Sequence, residues 1–350
     1  MKRIKYLFKC VCGMNFGRML RTVRRLAGEN NKLSIVVLLD ILWCGIRYGA
    51  GYVDYQIFDF AKLSGRQRKT FVTRGINNDF IRKLNNRDDY SKFEDKSVFN
   101  TLFGEFIGRE WLVLSGSSSD SGDDDGGGSS LNNLQSFSEF VERNPVFIAK
   151  PIDAICGKGI EKIDVNSNGG DVRSLYGKLV ENRQLLIEEC VVQHGDLSAV
   201  NASSVNTVRF MTIVSADSVH VMFRALRVGI AGSVVDNFNA GGMFVLLDEN
   251  GVIISDAINK NTDVFERHPS TDVVFKGTKI PFFREALELV ECAARVVSGV
   301  RYVSWDVAIT PTGPVLIEGN HNPGYDLLQS KVYLLDNEYG RLEDFKKVIG

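Results

Sequence analysis

The segment from Arg301 to Tyr325, RYVSWDVAITPTGPVLIEGNHNPGY, constrains the fold most, because it predicts two strands joined by a tight turn. In its first half, apolar residues alternate with small or polar ones that include Ser304 and Asp306. This period-two pattern is typical of a half-buried strand that carries an acid on its less apolar face. We therefore expect a β-hairpin here.

The turn of this hairpin decides which residues face each other. The tripeptide Pro311-Thr312-Gly313 predicts a three-residue loop, with Pro at the first turn position and Gly where a left-handed residue is needed. Such a loop pairs Thr310 with Pro314 and, counting back, Asp306 with Glu318. A loop of two or four residues would instead turn one of the acids to the opposite face.

Three oxygen-bearing side chains would then meet on this hairpin. Glu318 and Asn320 are two residues apart in the second strand and point to the same side. Together with Asp306 they suit Mg²⁺ or Mn²⁺, which could also hold the phosphates of a nucleotide. The alternative is an ordinary polar hairpin face in solvent.

Composition bounds the class of protein. The chain has 350 residues, a formal net charge of −1 and the apolar fraction of a soluble globular protein, so one or two compact lobes are expected and nucleic-acid binding is not indicated. Its six cysteines lack paired spacing, which favours reduced thiols and a cytoplasmic location.

The first part of the chain is basic. Eight Lys and Arg residues precede the first acid, Glu29. The apolar run 33–45 that follows is too short for a membrane span and contains Asp40, so it predicts a buried helix. Peripheral contact with an anionic membrane surface, at the inner membrane face, is the alternative to an ordinary solvated helix face.

A lysine clamp is predicted after residue 145. The apolar run Val146–Lys150 reads as a strand that ends in a lysine, and Gly157, Lys158 and Gly159 follow in a loop. Ammonium groups and closely approaching backbone N–H groups can hold phosphate. A surface turn with two lysines would look the same.

Acids and arginines on later strands extend this pattern. Glu188 and Glu189 end a predicted strand, and Asp196 follows; they suit adenine and ribose, or are simply exposed acids. Arg209 and Arg227 lie on otherwise apolar strands, where a guanidinium needs a partner. That partner is either a phosphate or carboxylate substrate, or a structural salt bridge to a hairpin acid.

The order of these motifs resembles the ATP-grasp superfamily, and more narrowly its sugar-transfer-associated members, with D-alanine–D-alanine ligase as a more distant relative. The resemblance covers roughly residues 147–325, with a weaker echo over 55–114. It is carried by KP…GKG, IEE…QH, SVNTVRFMT, LRVG…VDNFNAGG, HP…FKG…IP and WDVAITPTGPVLIEGNHNPG. It implies an α+β, ATP-grasp fold, in which two α/β subdomains clasp ATP, with a mainly helical N-terminal region.

The resemblance also implies site residues, and together with the composition of the chain it gives the expected domain limits. The positions are Lys150, Gly157, Lys158, Gly159, Glu188, Glu189 and Asp196 for ATP, Asp306, Glu318 and Asn320 for Mg²⁺ or Mn²⁺, and Arg209, Arg227 and Asn322 for catalysis. The expected divisions are a helical basic region over 1–114, a flexible Gly/Ser/Asp linker over 115–134, a small subdomain over 135–195, a large subdomain over 196–330 and a tail over 331–350.

The activity that the resemblance implies is ATP-dependent ligation of a carboxylate to an amine through an acyl phosphate. The expected substrates are a sugar acid or other carboxylate and an amino acid or amine, in surface polysaccharide biosynthesis. The alternatives are a kinase on the same fold and a non-catalytic nucleotide-binding partner of glycosyltransferase machinery. The basic helical start and the acidic linker have no counterpart in the better-known ligases.

Overall fold

The computed structural model describes residues 16–115, 134–153, 159–167, 169–216, 218–233, 236, 241–261, 263–330, 333–334 and 339–350. The predicted linker lies almost wholly outside these residues, as do Gly157 and Lys158. The described chain forms two compact units, one of Met1–Asn85 with Asn322–Gly350 and one of Asn86–His321. The predicted subdomain limits stay predictions.

The first unit is helical and packs around aromatic side chains. Tyr55, Phe58, Phe60 and Phe71 are almost completely buried and lie edge to face or tilted against one another, an arrangement favoured by the ring quadrupole. Its helices are α1 (Phe16–Glu29), α2 (Ser34–Tyr48), α3 (Tyr52–Ile57), α4 (Gly65–Arg68), α5 (Arg74–Leu84) and, from the end of the chain, Leu342–Ile349, with a 3₁₀ turn at Leu327–Gln329.

The helix predicted over 33–45 forms, but the prediction that it is buried was wrong. Helix α2 does form there, but only Val37, Ile41 and Cys44 are buried, since these three face the aromatic core at helical spacing. Leu38 and Tyr48 are partly buried against the same core, whereas six other large apolar side chains of the helix are exposed. Asp40 is satisfied within the unit by Arg68 and Tyr55.

The second unit contains both sheets. Its helices are α6 (Ser91–Glu94), α7 (Lys96–Leu102), α8 (Gly104–Ile107), α9 (Leu134–Arg143), α10 (Val172–Glu181), α11 (Gly195–Val200) and α12 (Phe283–Ala293), with a 3₁₀ turn at Arg87–Asp89. Its strands are β1 (Trp111–Val113), β2 (Val146–Lys150), β3 (Glu161–Asp164), β4 (Leu186–Glu189), β5 (Thr207–Val214), β6 (Val219–Val228), β7 (Met243–Leu246), β8 (Ala257–Asn259), β9 (Val264–Phe265), β10 (Tyr302–Thr310) and β11 (Gly313–Asn320).

These strands form two antiparallel sheets. The smaller sheet has the order β1-β4-β2-β3 and the larger has the order β11-β10-β5-β6-β7-β8-β9. Helices α9 and α10 cover the smaller sheet through Phe137, Phe140 and Leu175. Helix α12 packs on the larger sheet, as the helical spacing of its apolar residues predicts.

Strand β10 is buried on both faces, so the prediction of a half-buried strand was wrong. Every residue from Tyr302 to Ile309 is buried, because β10 lies between β5 and β11. One face carries Trp305, which packs on the aromatic side chains of Phe93 and Phe103. The other face carries Asp306, which is therefore a buried acid rather than a solvated one.

The hairpin pairs Asp306 with Glu318 as predicted, but by a different route. Thr310 pairs with Gly313 rather than Pro314, so the loop has two residues instead of three. The register then shifts next to Asp306, where Ile317 is an extra residue in β11. This β-bulge offsets the shorter loop, because one inserted residue returns the following side chain to the original face.

Candidate active site

The buried Asp306 carboxylate is held by two arginines. Arg209, its cross-strand neighbour, donates from Nε to Oδ1 at 2.7 Å and from Nη2 to Oδ2 at 2.6 Å. Arg227 donates to Oδ2 as well. Burial alone would raise the pKa of Asp306, but the two guanidinium groups hold it below its usual value. Both arginines thus form the salt bridge to a hairpin acid that was one of the two expectations, and their predicted roles toward a substrate stay predictions.

Arg227 extends this ion-pair network away from the hairpin. It contacts the buried carboxylate of Asp236 at 3.0 Å, and Asp236 accepts hydrogen bonds from the backbone N–H and the hydroxyl of Thr207. The Arg227 side chain is almost fully buried, whereas that of Arg209 is 22% exposed. Arg209 is therefore the arginine that a ligand can reach.

Glu318 and Asn320 form the exposed edge of the same site. The Asn320 side-chain N–H donates to Glu318 Oε1 at 3.2 Å, which leaves the amide oxygen turned away from Glu318. Desolvation by the surrounding protein and repulsion from Asp306 raise the pKa of Glu318, although part of the residue stays open to solvent. A cation bound here would remove that repulsion.

A second network surrounds Glu188 on the smaller sheet. Lys150 Nζ donates to Oε2 at 2.7 Å, and Asn100 and Arg109 donate to Oε1 at 2.8 and 3.1 Å. Glu188 is buried; burial would raise its pKa, but Arg109 and Lys150 lower it well below its ordinary value. Strands β2 and β4 bring Lys150 and Glu188 together.

Arg109 connects the two networks across the sheets. While one nitrogen contacts Glu188, Nη1 donates to the backbone carbonyl of Leu316 at 2.7 Å, and Nη2 lies 3.5 Å from the carbonyl of Ile317. These carbonyls belong to the β-bulge that places Glu318 opposite Asp306. The Arg109 side chain, only 3% exposed, therefore holds the bulge against the smaller sheet.

Lys96 interacts electrostatically with both Lys150 and the hairpin acid Glu318. Its ammonium group donates to the backbone carbonyl of Ile152 at 3.1 Å. Burial and the positive charge of Lys150 lower the pKa of Lys96, while the negative charge of Glu318 opposes this shift. Two ammonium groups thus approach one carboxylate-lined position, which is an arrangement suited to a polyanion such as a nucleotide phosphate chain.

The oxygen atoms of this site suit a cation that is also coordinated by the phosphates of a bound nucleotide. Asp306, Glu318 and Asn320 supply hard oxygen atoms. Most of the lone pairs of the Asp306 carboxylate, however, already accept hydrogen bonds from arginines. In the described parts of the chain, no group of three or more His, Cys, Asp or Glu side chains is placed to hold a metal ion. Mg²⁺ commonly takes one or two carboxylates and completes its shell with phosphate oxygens and water, so the residues fit Mg²⁺ when ATP is also bound.

Four other predicted site residues lie outside this cluster or have another contact. Glu189 accepts a hydrogen bond from the Glu110 backbone N–H at 3.0 Å. Asp196 is exposed at the start of α11, where its N–H bonds to His194. Gly159 has a left-handed φ of +72° and packs on Pro151, and Asn322 is exposed in the other unit. Their predicted roles stay predictions.

Sequence reasoning missed Lys96, Asn100 and Arg109. Lys96 and Asn100 are four residues apart on α7, a spacing that puts both on one helix face. Arg109 lies two residues before β1 and has no periodic signal of its own. The sequence KSVFNTL mixes polar and apolar residues, so nothing in it singles out Lys96 and Asn100.

The depressed pKa of Glu188 makes stability dependent on pH in a defined direction. A carboxylate with a lowered folded-state pKa contributes stability above its unfolded value, near 4.5, and loses it as the pH falls further. Glu188→Gln should therefore lower the free energy of unfolding by about 3–5 kcal/mol at pH 7, because Lys150 and Arg109 lose their buried partner. We expect this difference from the original protein to shrink below about pH 4.5.

Urea unfolding of both proteins between pH 7 and pH 3 measures this effect. Glu142→Gln, at an exposed helical position, is the matched control and should change the free energy of unfolding by less than about 0.5 kcal/mol throughout. A Glu188→Gln deficit that stays constant down to pH 3 would contradict a depressed pKa at Glu188.

Comparison with solved structures places the chain beside ligases of low sequence identity. D-alanine–D-alanine ligase from Coxiella burnetii has 9% identity over 74% of this chain and 57% of that one, with a TM-score of 0.42. D-alanyl-alanine synthetase A from Vibrio cholerae has 11% identity over 74% and 64%, with a TM-score of 0.42. The ligase PsnB, solved with precursor peptide PsnA2 and AMPPNP, has 11% identity over 76% and 61%, with a TM-score of 0.41.

The chain thus spans between 57% and 64% of the length of these three structures. No curated protein sequence matches it at a significant level. Residues 75–333 match the family described as sugar-transfer associated ATP-grasp. This match includes both sheets, the Lys150 to Glu188 pair and the hairpin acids, and with it the chain belongs to the sugar-transfer associated ATP-grasp family and has the ATP-grasp fold.

Proposed function

We propose that this protein is an ATP-dependent carboxylate–amine ligase that acts through an acyl phosphate. The observation that carries the proposal is the position of Lys96, which lies close enough to both Lys150 and Glu318 for its pKa to respond to their charges. A phosphate-binding lysine pair thereby meets a cation-binding carboxylate at one place, and phosphoryl transfer needs both.

Lys150 and Lys96 are the proposed ligands of the ATP phosphates. Lys150 is held by Glu188 at 2.7 Å, so its ammonium group is oriented before ATP arrives and keeps donors for phosphate oxygens. The pKa of Lys96 is lowered first by burial and then by the positive charge of Lys150. The negative charge of a bound phosphate chain would favour the ammonium form of both lysines, which favours ATP binding.

Glu318 and Asn320, with the remaining capacity of Asp306, are the proposed ligands of Mg²⁺ or Mn²⁺. When bound, the cation would neutralise charge on the transferring phosphoryl group. The two arginines keep Asp306 ionised and in place. Since Arg209 is partly exposed, it is also the side chain proposed to meet the carboxylate substrate.

The proposed reaction has two steps. A substrate carboxylate oxygen attacks the γ-phosphorus of ATP and displaces ADP, which gives an acyl phosphate. An amine then attacks the acyl carbon, loses a proton and displaces inorganic phosphate, which gives an amide. Preorganised cationic side chains such as Arg209 contribute by stabilising the negative charge that develops on the transferring group and on the attacked carbonyl.

The proposed substrates are a sugar acid and an amino acid or other amine, in surface polysaccharide assembly. The description of the family as associated with sugar transfer supports a sugar acid as the carboxylate substrate. A cytoplasmic location follows from the use of ATP and from cysteines without paired spacing.

The test follows ADP release from ATP and Mg²⁺ with uronic-acid sugars and pooled amino acids, and identifies products by mass spectrometry. We expect an amide product that needs both substrates. Glu318→Gln should reduce turnover by about 100-fold or more, whereas the exposed control Glu249→Gln should not. A phosphate ester formed without any amine would instead identify a kinase, and ATP binding without turnover on any substrate pair would identify a non-catalytic nucleotide-binding protein.

A further inference from the structure

Helix α2 has a continuous exposed apolar face. Leu39, Trp43 and Ile46 are 58%, 56% and 57% exposed, and their spacing places them on one side of the helix. We define the α2 apolar face as Leu33, Ile35, Val36, Leu39, Leu42, Trp43 and Ile46, all of which are exposed. A contiguous apolar surface of this kind on a folded unit commonly marks an interaction site.

Helix α1 adds further apolar side chains and positive charge. Phe16 and Leu20 are exposed, and Arg24 follows them at the same four-residue spacing, so the three lie along one side of α1. Arg18, Arg21 and Arg25 are exposed as well. In contrast, the only acid of this helix is Glu29, which lies 3.7 Å from Arg25.

The helices α1 and α2 pack on each other within the same hydrophobic core, through Val23, Leu26 and Ile41. The basic side chains and the apolar face therefore belong to one packed pair of helices rather than to separate segments. Four more basic residues, at positions 2, 3, 5 and 9, precede α1 in the sequence. This stretch is cationic in a protein whose formal net charge is −1.

The chemistry of this surface matches a lipid interface. Helix α2 has 15 residues, whereas a span needs about 20, and none of the helices in the described ranges is long and apolar enough to cross a membrane. An apolar face with an aromatic residue and flanking arginines is instead typical of a helix that lies in the plane of a membrane surface. Trp43 suits the boundary between headgroups and acyl chains.

We propose that the α2 apolar face, with the arginines of α1, docks this protein onto an anionic lipid surface. The apolar side chains enter the acyl boundary, and the guanidinium groups lie at the level of the lipid phosphates. Charge complementarity distinguishes this partner from a neutral protein groove, because positive charge close to the surface strengthens binding to acidic lipids.

Sedimentation with vesicles tests the proposal. The full chain should bind vesicles that contain about 30% phosphatidylserine and bind phosphatidylcholine vesicles at least about tenfold more weakly. It should be largely released by about 0.5 M NaCl. Iodide quenching of tryptophan fluorescence should fall on binding, because Trp43 is exposed in the free protein and would enter the lipid, whereas Trp305 is already buried.

Two variants separate the apolar and the electrostatic contributions. Leu39→Glu/Ile46→Glu keeps Trp43 as the reporter and alters only exposed positions. Arg21→Glu/Arg24→Glu reverses the charge. Each should weaken vesicle binding by about tenfold or more. The matched controls, Ile254→Glu/Val264→Glu and Arg173→Glu/Arg284→Glu, change equally exposed residues of the other unit and should bind as the original protein does.

Three results would overturn the proposal. The first is an absence of binding to anionic vesicles by the folded original protein. The second is equal vesicle binding by Leu39→Glu/Ile46→Glu and its control. The third is self-association in light scattering that this variant abolishes, without vesicle binding by either protein, which would assign the face to a second copy of the chain. Thermal unfolding and ATP binding of each variant verify that the fold is intact.

Discussion

Asp306→Asn should lower the free energy of unfolding by about 3–5 kcal/mol, because it removes a buried anion that Arg209 and Arg227 share. The amide offers one acceptor oxygen in place of two charged ones, so Arg209 loses its two-point contact, while Arg227 keeps Asp236. The substituted amide has nearly the same size, so the effect reports charge and hydrogen bonding rather than packing. Urea unfolding at pH 7 measures it.

Asp272→Asn is the matched control for this prediction. Asp272 pairs with Arg267, but both side chains are largely exposed, and an exposed pair contributes about 0–1 kcal/mol. Asn also tolerates the left-handed backbone that Asp272 adopts. If Asp306→Asn cost no more than this control, the buried ion pairs of Asp306 would not stabilise the second unit.

A comparison of Asp306→Asn with Glu318→Gln separates the roles of the two paired acids. Glu318 is exposed and its pKa is raised by desolvation and by Asp306, so its charge does not stabilise the fold at neutral pH and its neutral replacement should not lower stability. The proposed function nevertheless requires its charge for the cation. We therefore expect Asp306→Asn to act on both stability and turnover, and Glu318→Gln to act on turnover alone.

Lys150→Met should reduce ATP turnover by about 100- to 1,000-fold, the usual loss when one preorganised donor to a transferring group is removed. The affinity for ATP should fall by about 10- to 100-fold, since a hydrogen bond to a charged group contributes about 1.5–3 kcal/mol. Isothermal titration with ATP and Mg²⁺, together with ADP release, measures both quantities.

The fold should survive Lys150→Met better than it survives Asp306→Asn. Glu188 keeps Arg109 and Asn100 as hydrogen-bond donors, so no charge is left without a partner. Lys162→Met, at an exposed position on the neighbouring strand β3, is the matched control and should retain ATP binding. Equal ATP affinity in both variants would exclude Lys150 as a phosphate ligand.

Much of the second unit follows from local sequence patterns. The strands at Val146–Lys150, Leu186–Glu189 and Thr207–Val214 form where their apolar runs predict them. Helix α10 begins after Asp171, whose carboxylate accepts a hydrogen bond from the Ser174 N–H, an N-cap of the kind that short-range sequence favours. Such features depend on neighbours a few residues apart.

The hairpin shows where local reasoning stops. The predicted partner of Asp306 was correct, yet the loop argument behind it was wrong, because the β-bulge at Ile317 compensated for a shorter loop. A bulge depends on packing around it, here including the contact of Arg109 with the Leu316 carbonyl. Nothing in the sequence of the turn itself indicates that contact.

The sequence alone determined which residue types could perform the chemistry and in what order they occur. Strand periodicity indicated that Arg209, Arg227 and Asp306 lie on strands of apolar character, and that such charges need partners. The tertiary structure alone decided that these three are partners of one another, and that Lys96 lies near both Lys150 and Glu318. The physical reason is that ion pairing depends on distance in space, and residues 79 to 97 positions apart, as in these pairs, are brought together only by the folded sheet.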